Sequence, residues 1–341
     1  MKTPIRTHEG RVALVSWAEK TPMRFIEASK FGGPEVLTIV DAPTPTPTEG
    51  ALLVEIKAAG VNYADIMARS GFYPQVPKAP FPVGFEIAGV VKGIGKSVEG
   101  FKEGDPVAAI IQGGGYATHA VIPAATAIPL PAGLDHALAV AVLVQGVTAY
   151  ILIDEAKVKE GDAVLVSAAG GGVGNLAVQL AKARRAKVVG LTSKSKFEGV
   201  RSLGADHVAD YDGAGWAASV KQVVGEKGIK VYLDSIGDLQ TEAFPLLSQS
   251  GHSIIFGVRS DMRNALPFET IPVMIQKNIT LRGFNLEGSL HQLPQALSAL
   301  FTLVGEGKLK FEITKYPLSE AAKVHQLFEA RKTSGKIVLV P

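Results

Sequence analysis

At 341 residues the chain is longer than one ordinary domain, which predicts two lobes with a cleft between them. An apolar fraction of 47% with 20% charged residues excludes a disordered or fibrous chain, and a net charge of +3 gives no reason to expect nucleic acid or an anionic membrane as partner. The absence of cysteine excludes disulfides, thiol nucleophiles and every Cys-containing metal site, and fits a cytoplasmic location.

The first stretch, residues 1–22, has Arg6 and Arg11 before a short apolar run but no small-residue cleavage site, so no signal peptide is expected. From Met23 to Val144 the chain is dense in Gly, Pro and short β-branched runs such as Ala51 to Ala58 and Glu86 to Val91, which predicts a β-rich lobe. The uncharged run Ala137 to Ile153 is just short of a membrane span and is interrupted by Gln145, Gly146 and Thr148, so it is expected to be buried core. From Asp162 the pattern becomes strand, Gly-rich turn, helix and strand: Ala163 to Ala168, Val173 to Arg184, Lys187 to Leu191. Further strands are expected at Lys230 to Asp234, Ser253 to Phe256 and Ile279 to Gly283, with helices at Phe197 to Leu203 and Trp216 to Val224. That is a doubly wound parallel sheet of Rossmann type. Beyond it lie helical patterns at Leu293 to Val304 and Ser319 to Lys332 and a strand at Lys336 to Val340, which periodicity assigns to neither lobe.

The most informative stretch is Val164 to Val178. An apolar strand runs into Ala169-Gly170-Gly171-Gly172-Val173-Gly174 and then a helix, a dinucleotide fingerprint with Ala in first place. Ala169 makes the tight turn, Gly171 lets a pyrophosphate approach the backbone, and Gly174 lets helix pack on strand, while the helix N-terminus faces the anion. An NAD-specific fold would place an acid about 20 residues further on. None occurs between Gly174 and Glu198, where the text reads Thr192-Ser193-Lys194-Ser195-Lys196. Ser193 and Lys196 therefore point to the 2′-phosphate of NADP(H), a preference on the order of a hundredfold if two charge-assisted contacts form. Lys182, Arg184, Arg185 and Lys194 are read as solvated surface charges.

From Met23 to Pro341 the chain resembles the zinc-free quinone oxidoreductases, the zeta-crystallin-like branch of the medium-chain dehydrogenase/reductase superfamily. The resemblance rests on Ala59-Gly60-Val61-Asn62-Tyr63-Ala64-Asp65, Arg69-Ser70-Gly71-Phe72-Tyr73-Pro74, Pro82-Val83-Gly84-Phe85-Glu86, Gly104-Asp105-Pro106-Val107, Gln145-Gly146-Val147-Thr148-Ala149 and the phosphate turn. It implies an N-terminal extension over 1–22, a GroES-like β-barrel catalytic domain over 23–144, a Rossmann NADP-binding domain over 145–284, and a C-terminal segment, 285–341, returning to the catalytic domain. Zinc-dependent relatives carry Cys, His and Cys where this chain has Asn62, Phe85 and Val144, so no zinc is expected.

The resemblance further implies that Asn62 bonds near the nicotinamide ribose or substrate, that Thr148 meets the cofactor at the domain seam, and that Phe256 and Gly257 hold the carboxamide. It places Lys196, Tyr211 and Arg331 around the 2′-phosphate and Tyr73 toward the substrate, as a proton donor or as an aromatic wall of the cleft. Met67 stands where some members carry a second tyrosine. Tyr63, Gln145 and Asn285 complete the expected cleft, Asn285 only because it follows the strand ending at Gly283. The function implied is hydride transfer from NADPH to a quinone or another activated C=C or C=O acceptor, which needs alignment and hydrogen bonds rather than a Lewis acid. An enoyl or alkenal reductase is the alternative within the enzyme class, and an NADPH-binding structural or RNA-binding protein the alternative outside it. A small electrophile as substrate, no nucleic acid, no membrane and a homodimer are the expected partners.

Overall fold

A strand of only four residues, Ala163–Val166, holds the centre of the cofactor lobe. All four side chains are buried, as a strand covered on both faces requires. In the computed structural model, which describes residues 22–73, 78–213, 215–239, 241–258 and 265–341 together with the backbone of Pro4–Arg6 and Val12–Leu14, it belongs to a six-stranded parallel sheet. The order across that sheet is His207–Ala209, Lys187–Leu191, Ala163–Val166, Ile229–Asp234, Leu247–Ile255, Thr280–Gly283. The order reverses between Ala163–Val166 and Ile229–Asp234, the place where a doubly wound sheet opens a crevice at the carboxyl ends of its strands. One apolar cluster fills one face (Val164, Val166, Leu176, Leu180, Leu300) and another the opposite face (Leu165, Val189, Val220, Tyr232, Phe244).

The other lobe is built on Ala51–Val61. One edge of this strand pairs along its length with Glu86–Ile94. The other edge is shared, Ala51 to Glu55 with His119–Pro123 and Ala59 to Val61 with Lys336–Val340. The C-terminal strand thus lies in the N-terminal lobe's sheet, beside Ile313–Pro317. A three-stranded sheet, Leu37–Ala42, Met23–Ala28 and Phe81–Pro82, lies against it through the bridge Phe25 to Ala117. Among the described residues the ladders do not close into the expected barrel: the seven-stranded sheet ends on Ile128–Pro129 and Ile313–Pro317. Each of these edge strands carries a proline, which has no N–H to continue a ladder.

Between the lobes runs the helical stretch His136–Glu155, long and apolar enough to cross a membrane but mostly buried inside the fold. Its middle, Ala141–Gly146, widens into π turns. Of residues 1–22, Pro4–Arg6 and Val12–Leu14 form an antiparallel pair, and almost all of the rest lie outside the described residues.

Candidate active site

The turn after Ala163–Val166 is shaped by contacts that leave no room for side chains. Ala168 has φ +44, and Gly171 N donates to Ala168 O at 2.8 Å, folding the chain back before the helix Gly172–Ala183 begins. A Cβ at Gly174 would fall 2.3 Å from Ala168 O, so the helix packs on the turn itself. A Cβ at Gly170 would meet the Lys196 side chain at 2.8 Å, whereas at Gly171 it would meet only Ala168 O, at 3.2 Å. Gly171 is thus the open position of the turn, Ala169 is wholly buried, and Val173 and Gly174 stand in the first helical turn where N–H groups have no intrahelical acceptor.

At one end of this turn are three residues from separate parts of the chain. Arg331 Nη1 donates to the Tyr211 hydroxyl at 3.1 Å, and its guanidinium lies over the Tyr211 ring, 5.3 Å from the centroid. Lys196 Nζ donates to Thr333 O at 2.5 Å. Burial, and then the charge of Arg331, push the Lys196 ammonium below its usual pKa range, partly offset by Glu312. Two cations that repel each other beside a phosphate turn suit a bound anion. Asp212 Oδ2, 3.4 Å from Arg331, shares the guanidinium. Ser193 caps the short helical turn Lys194–Lys196, its hydroxyl bonded to Ser195 at 3.2 Å. The other nearby cations form ion pairs: Lys182 with Asp206, Arg184 with Asp154, Arg185 with Glu160.

The other end is a buried polar cluster. Asn62 caps the helix Tyr63–Arg69 and is 6% exposed. Its Oδ1 accepts from Gln145 Nε2 and from Lys336 Nζ, each at 3.2 Å, and its Nδ2 donates to Glu86 Oε2 at 3.0 Å. Lys336 pairs with Glu86 at 2.5 Å, and Glu86 Oε1 accepts the Val144 amide at 2.6 Å from within the π turns. At two of the three positions expected for zinc ligands, Asn62 and Val144, the groups are therefore tied to an ammonium–carboxylate pair. The third, Phe85, packs on Tyr73 with ring centroids 5.4 Å apart. Gln145 Oε1 is buried without a partner and sits where a Gly172 Cβ would be, 1.9 Å away, so this side chain touches both Asn62 and the phosphate turn. Thr148 is buried one turn further along the same helical stretch.

Tyr73 is half-buried, and burial followed by the charges of Glu287 and Asp65 raises its pKa, so the hydroxyl stays protonated. Glu287, whose charge acts on Tyr73, stands in the segment after Thr280–Gly283. There Asn285 is exposed and accepts the Glu287 amide at 3.0 Å. Tyr63 is the first residue of its helix and half-buried. Phe256 and Gly257 follow directly on Leu247–Ile255; Phe256 N donates to Asp234 O at 2.8 Å, and a Gly257 Cβ would fall 2.5 Å from Ser235 O. Direct contacts therefore join Asn62 with Gln145, and Tyr211 with Arg331. Thr148, Phe256, Gly257 and Asn285 line successive elements without bonding one another.

Sequence reasoning missed Glu86 and Lys336 as site residues. The signal was available: Lys336 is the single charge of an otherwise apolar strand, Glu86 opens a strand whose other charge, Lys92, is exposed, and a charge buried on such a strand must find a partner. It also missed a buried set behind Asn62. Asp65 Oδ2 accepts the Asn62 amide at 2.7 Å, and burial raises Asp65 to about 7, with the Tyr116 hydroxyl and the Asn62 amide opposing. Tyr116 bonds His325 at 3.2 Å, and His325 faces Arg69, which is paired with Glu329.

Family models match both lobes: the alcohol dehydrogenase GroES-like domain over residues 48–132 and the zinc-binding dehydrogenase over residues 172–302. Quinone oxidoreductase 1 of Escherichia coli is 34% identical over 328 residues, 93% of this chain and 99% of that protein. The quinone oxidoreductase of Lama guanicoe is 35% identical, covering 93% of this chain and 97% of its own length. The crystal structure of the E. coli quinone oxidoreductase complexed with NADPH matches with a TM-score of 0.87 at 32% identity, covering 93% of this chain and all of that one. Similarity of this extent, over both lobes and the turn between them, shows that the chain belongs to the quinone oxidoreductase family of the medium-chain dehydrogenase/reductases.

Proposed function

We propose that this protein is an NADPH-dependent oxidoreductase that reduces a quinone or a similarly activated acceptor. The observation that carries the reading is the segment Arg331 to Lys336. It stands beside Tyr211 at one end, meets Lys196 and the phosphate turn through Thr333 and Gly335, and delivers Lys336 to Asn62 at the other. One short strap thus links a cationic pocket fit for a 2′-phosphate with a polar cluster fit for the reacting end. The residues present accommodate the dinucleotide: Gly171 is open, the N-terminus of Gly172–Ala183 has no side-chain cap, and Gln145 Oε1 awaits a donor.

NADPH, when bound, supplies a hydride. Asn62 and Gln145 orient the groups around it, Thr148, Phe256 and Gly257 border the nicotinamide side, and Lys196, Arg331, Tyr211 and Ser193 hold the phosphate side. Tyr73 holds a proton within the cleft and gives it to the acceptor oxygen, while Tyr63 and Asn285 border the acceptor. The zinc-free reading is supported by the Lys336–Glu86 pair tied to Asn62 and Val144, where zinc-dependent relatives carry two of their ligands. In domain terms, residues 23–144 and 285–341 form the catalytic lobe and 145–284 the cofactor lobe. A homodimer is supported by the edge of Thr280–Gly283, which is open among the described residues, and by the helix Thr270–Lys277, none of whose residues is buried. Ion pairing of Lys182, Arg184 and Arg185 supports the absence of a nucleic-acid surface, and a cytoplasmic setting fits the cysteine-free composition.

The direct test is steady-state oxidation of NADPH and NADH with 1,4-benzoquinone and with a simple enone, in the presence of a strong chelator. Turnover with NADPH far above NADH, and with the quinone above the enone, is expected. Tight NADPH binding without turnover of either acceptor overturns the catalytic reading, and activity that only zinc restores overturns the metal-free one.

A further inference from the structure

We propose that Glu86 and Lys336 are a positioning pair, which holds the Asn62 carboxamide in one orientation for hydride transfer without touching the reactants. The inference rests on the NADPH-dependent reading above. A carboxamide has two nearly isosteric orientations, and only its surroundings choose between them. Here the choice is made by charge. Asn62 Oδ1 faces an ammonium and an amide donor, and Nδ2 faces a carboxylate. Rotating the amide by half a turn would set its N–H groups against Lys336 and Gln145 and its oxygen against Glu86, so all three contacts would change from attraction to repulsion. Both acceptor sites of Oδ1 and one of the two N–H groups of Nδ2 are then used within the protein. The second N–H has no acceptor among the described residues, and Asn62 presents it as a single donor in a fixed direction.

The pair is built for this place. Lys336 is 3% exposed and Glu86 is fully buried, and such a pair contributes little to stability relative to apolar side chains of similar size. Specifying one arrangement is what a buried pair does well. Gly60 leaves space for it: a Cβ there would fall 1.9 Å from Glu86 Oε2 and 2.7 Å from Lys336 Nζ. Glu86 also takes the Val144 amide, fixing the wide helical turn from which Gln145 reaches Asn62. Glu86 is taken up by Lys336, Asn62 and the Val144 amide, and Lys336 gives two of its three N–H groups to Glu86 and Asn62. Their effect on the reaction passes through Asn62, 24 residues from Glu86 and 274 from Lys336 in sequence.

The test compares Glu86→Gln, Glu86→Asp and the double variant Glu86→Gln/Lys336→Met with the parent. The readouts are the single-turnover rate of NADPH oxidation by 1,4-benzoquinone, the Kd for NADPH, and the emission lifetime of the bound reduced nicotinamide. We expect each variant to lose at least tenfold in rate and to shorten the lifetime, with Kd within threefold of the parent, because the phosphate contacts are untouched. The double variant leaves no uncompensated buried charge, so its folding, followed by circular dichroism, is expected to survive. Should it not fold, Glu86→Asp decides, since it keeps the charge and withdraws it by one methylene. In an Asn62→Ala background, Glu86→Gln should add less than twofold. A rate and lifetime at parental values in the double variant or in Glu86→Asp, or losses that multiply with Asn62→Ala, overturn the proposal. A parent that binds NADPH but reduces no quinone defeats the catalytic reading instead. The lifetime then still judges the pair: shortened in the variants it stands, unchanged it falls.

Discussion

Lys196 donates a hydrogen bond from its ammonium to the carbonyl of Thr333, two residues beyond Arg331, so the two cations proposed to hold the 2′-phosphate are tied to one another through the backbone. Burial, with the charge of Arg331 adding to it, lowers the Lys196 pKa, and an anion placed beside the ammonium would relieve this. Lys196→Ala and Arg331→Ala should each raise the KM for NADPH by roughly tenfold to a hundredfold, the range expected from a charge-assisted hydrogen bond of about 1.5–3 kcal/mol. NADH, without the 2′-phosphate, should be nearly unaffected. Equal effects on the two cofactors, measured in parallel titrations, would remove the phosphate role.

Tyr73 should behave as a proton donor whose own ionisation does not appear in the pH profile below about 10, because burial and two nearby carboxylates raise its pKa. Tyr73→Phe keeps the ring on Phe85 and removes only the hydroxyl. It should lower kcat by about a hundredfold, within the span typical of general acids, and abolish the solvent isotope effect of the parent. A variant with parental kcat and the same isotope effect would make Tyr73 a wall of the cleft.

How much of this site was legible depended on how local its causes were. The run from Ala163 through Gly174 to Leu191 is governed by neighbours: β-branched residues that must be covered on both faces, then a glycine turn, then an alanine- and leucine-rich helix. Its elements could be placed within a residue or two. The cluster at Asn62 is governed by pairing of Lys336–Val340 with Ala51–Val61, which no local pattern encodes. Tyr211 and Arg331 meet across 120 positions for the same reason, and only family resemblance linked them in advance. The open barrel was illegible because closure depends on which edge residues lack an N–H partner, and the edges themselves emerge only once the strands are paired.

The glycines of the phosphate turn should separate by what a methyl group would strike. At Gly172 it would strike Gln145 Oε1 and Cδ, a side chain that can swing away at the cost of its bond to Asn62. Gly172→Ala should therefore fold normally and lose mainly kcat. At Gly174 the methyl would strike the Ala168 carbonyl and Ala169 Cα, backbone atoms that cannot yield without moving the helix. Gly174→Ala should lower the melting temperature and weaken NADPH binding together. Thermal melts alongside NADPH titrations check both, and similar behaviour of the two variants would contradict the geometry.

The proposed homodimer predicts a specific break. Among the described residues Thr280–Gly283 has a neighbour on one edge only, and close by in the chain Phe268, Ile271 and Ile275 are exposed, Ile275 at 72%. An exposed apolar group and an open sheet edge each call for a partner surface. Ile275→Glu should convert the dimer to a monomer in light-scattering chromatography. A parent that elutes as a monomer at micromolar concentration would end the dimer reading without touching the catalytic one.

Behind Asn62, Asp65 and His325 should give the fold two opposed pH dependences. Burial, and after it the charge of Arg69, lower His325 to about 3, so the folded protein keeps it neutral while the unfolded chain takes up a proton below its ordinary value of 6.5. Its contribution is therefore present above pH 6.5 and is lost as pH falls toward 3. Asp65 runs the other way: folded, it holds a proton up to about pH 7, whereas unfolded it releases it near 3.8, so its contribution is present in acid and is lost as pH rises through 7. Between about pH 4 and 6.5 the two slopes oppose, and the parent's stability should change little with pH on their account. Asp65→Asn leaves the histidine slope alone, and its melting temperature should fall as pH is lowered through that window. His325→Gln leaves the aspartate slope alone, and its melting temperature should fall as pH is raised through the same window. Melting curves for the two variants that bend in the same direction would show that the pair does not titrate as its burial requires.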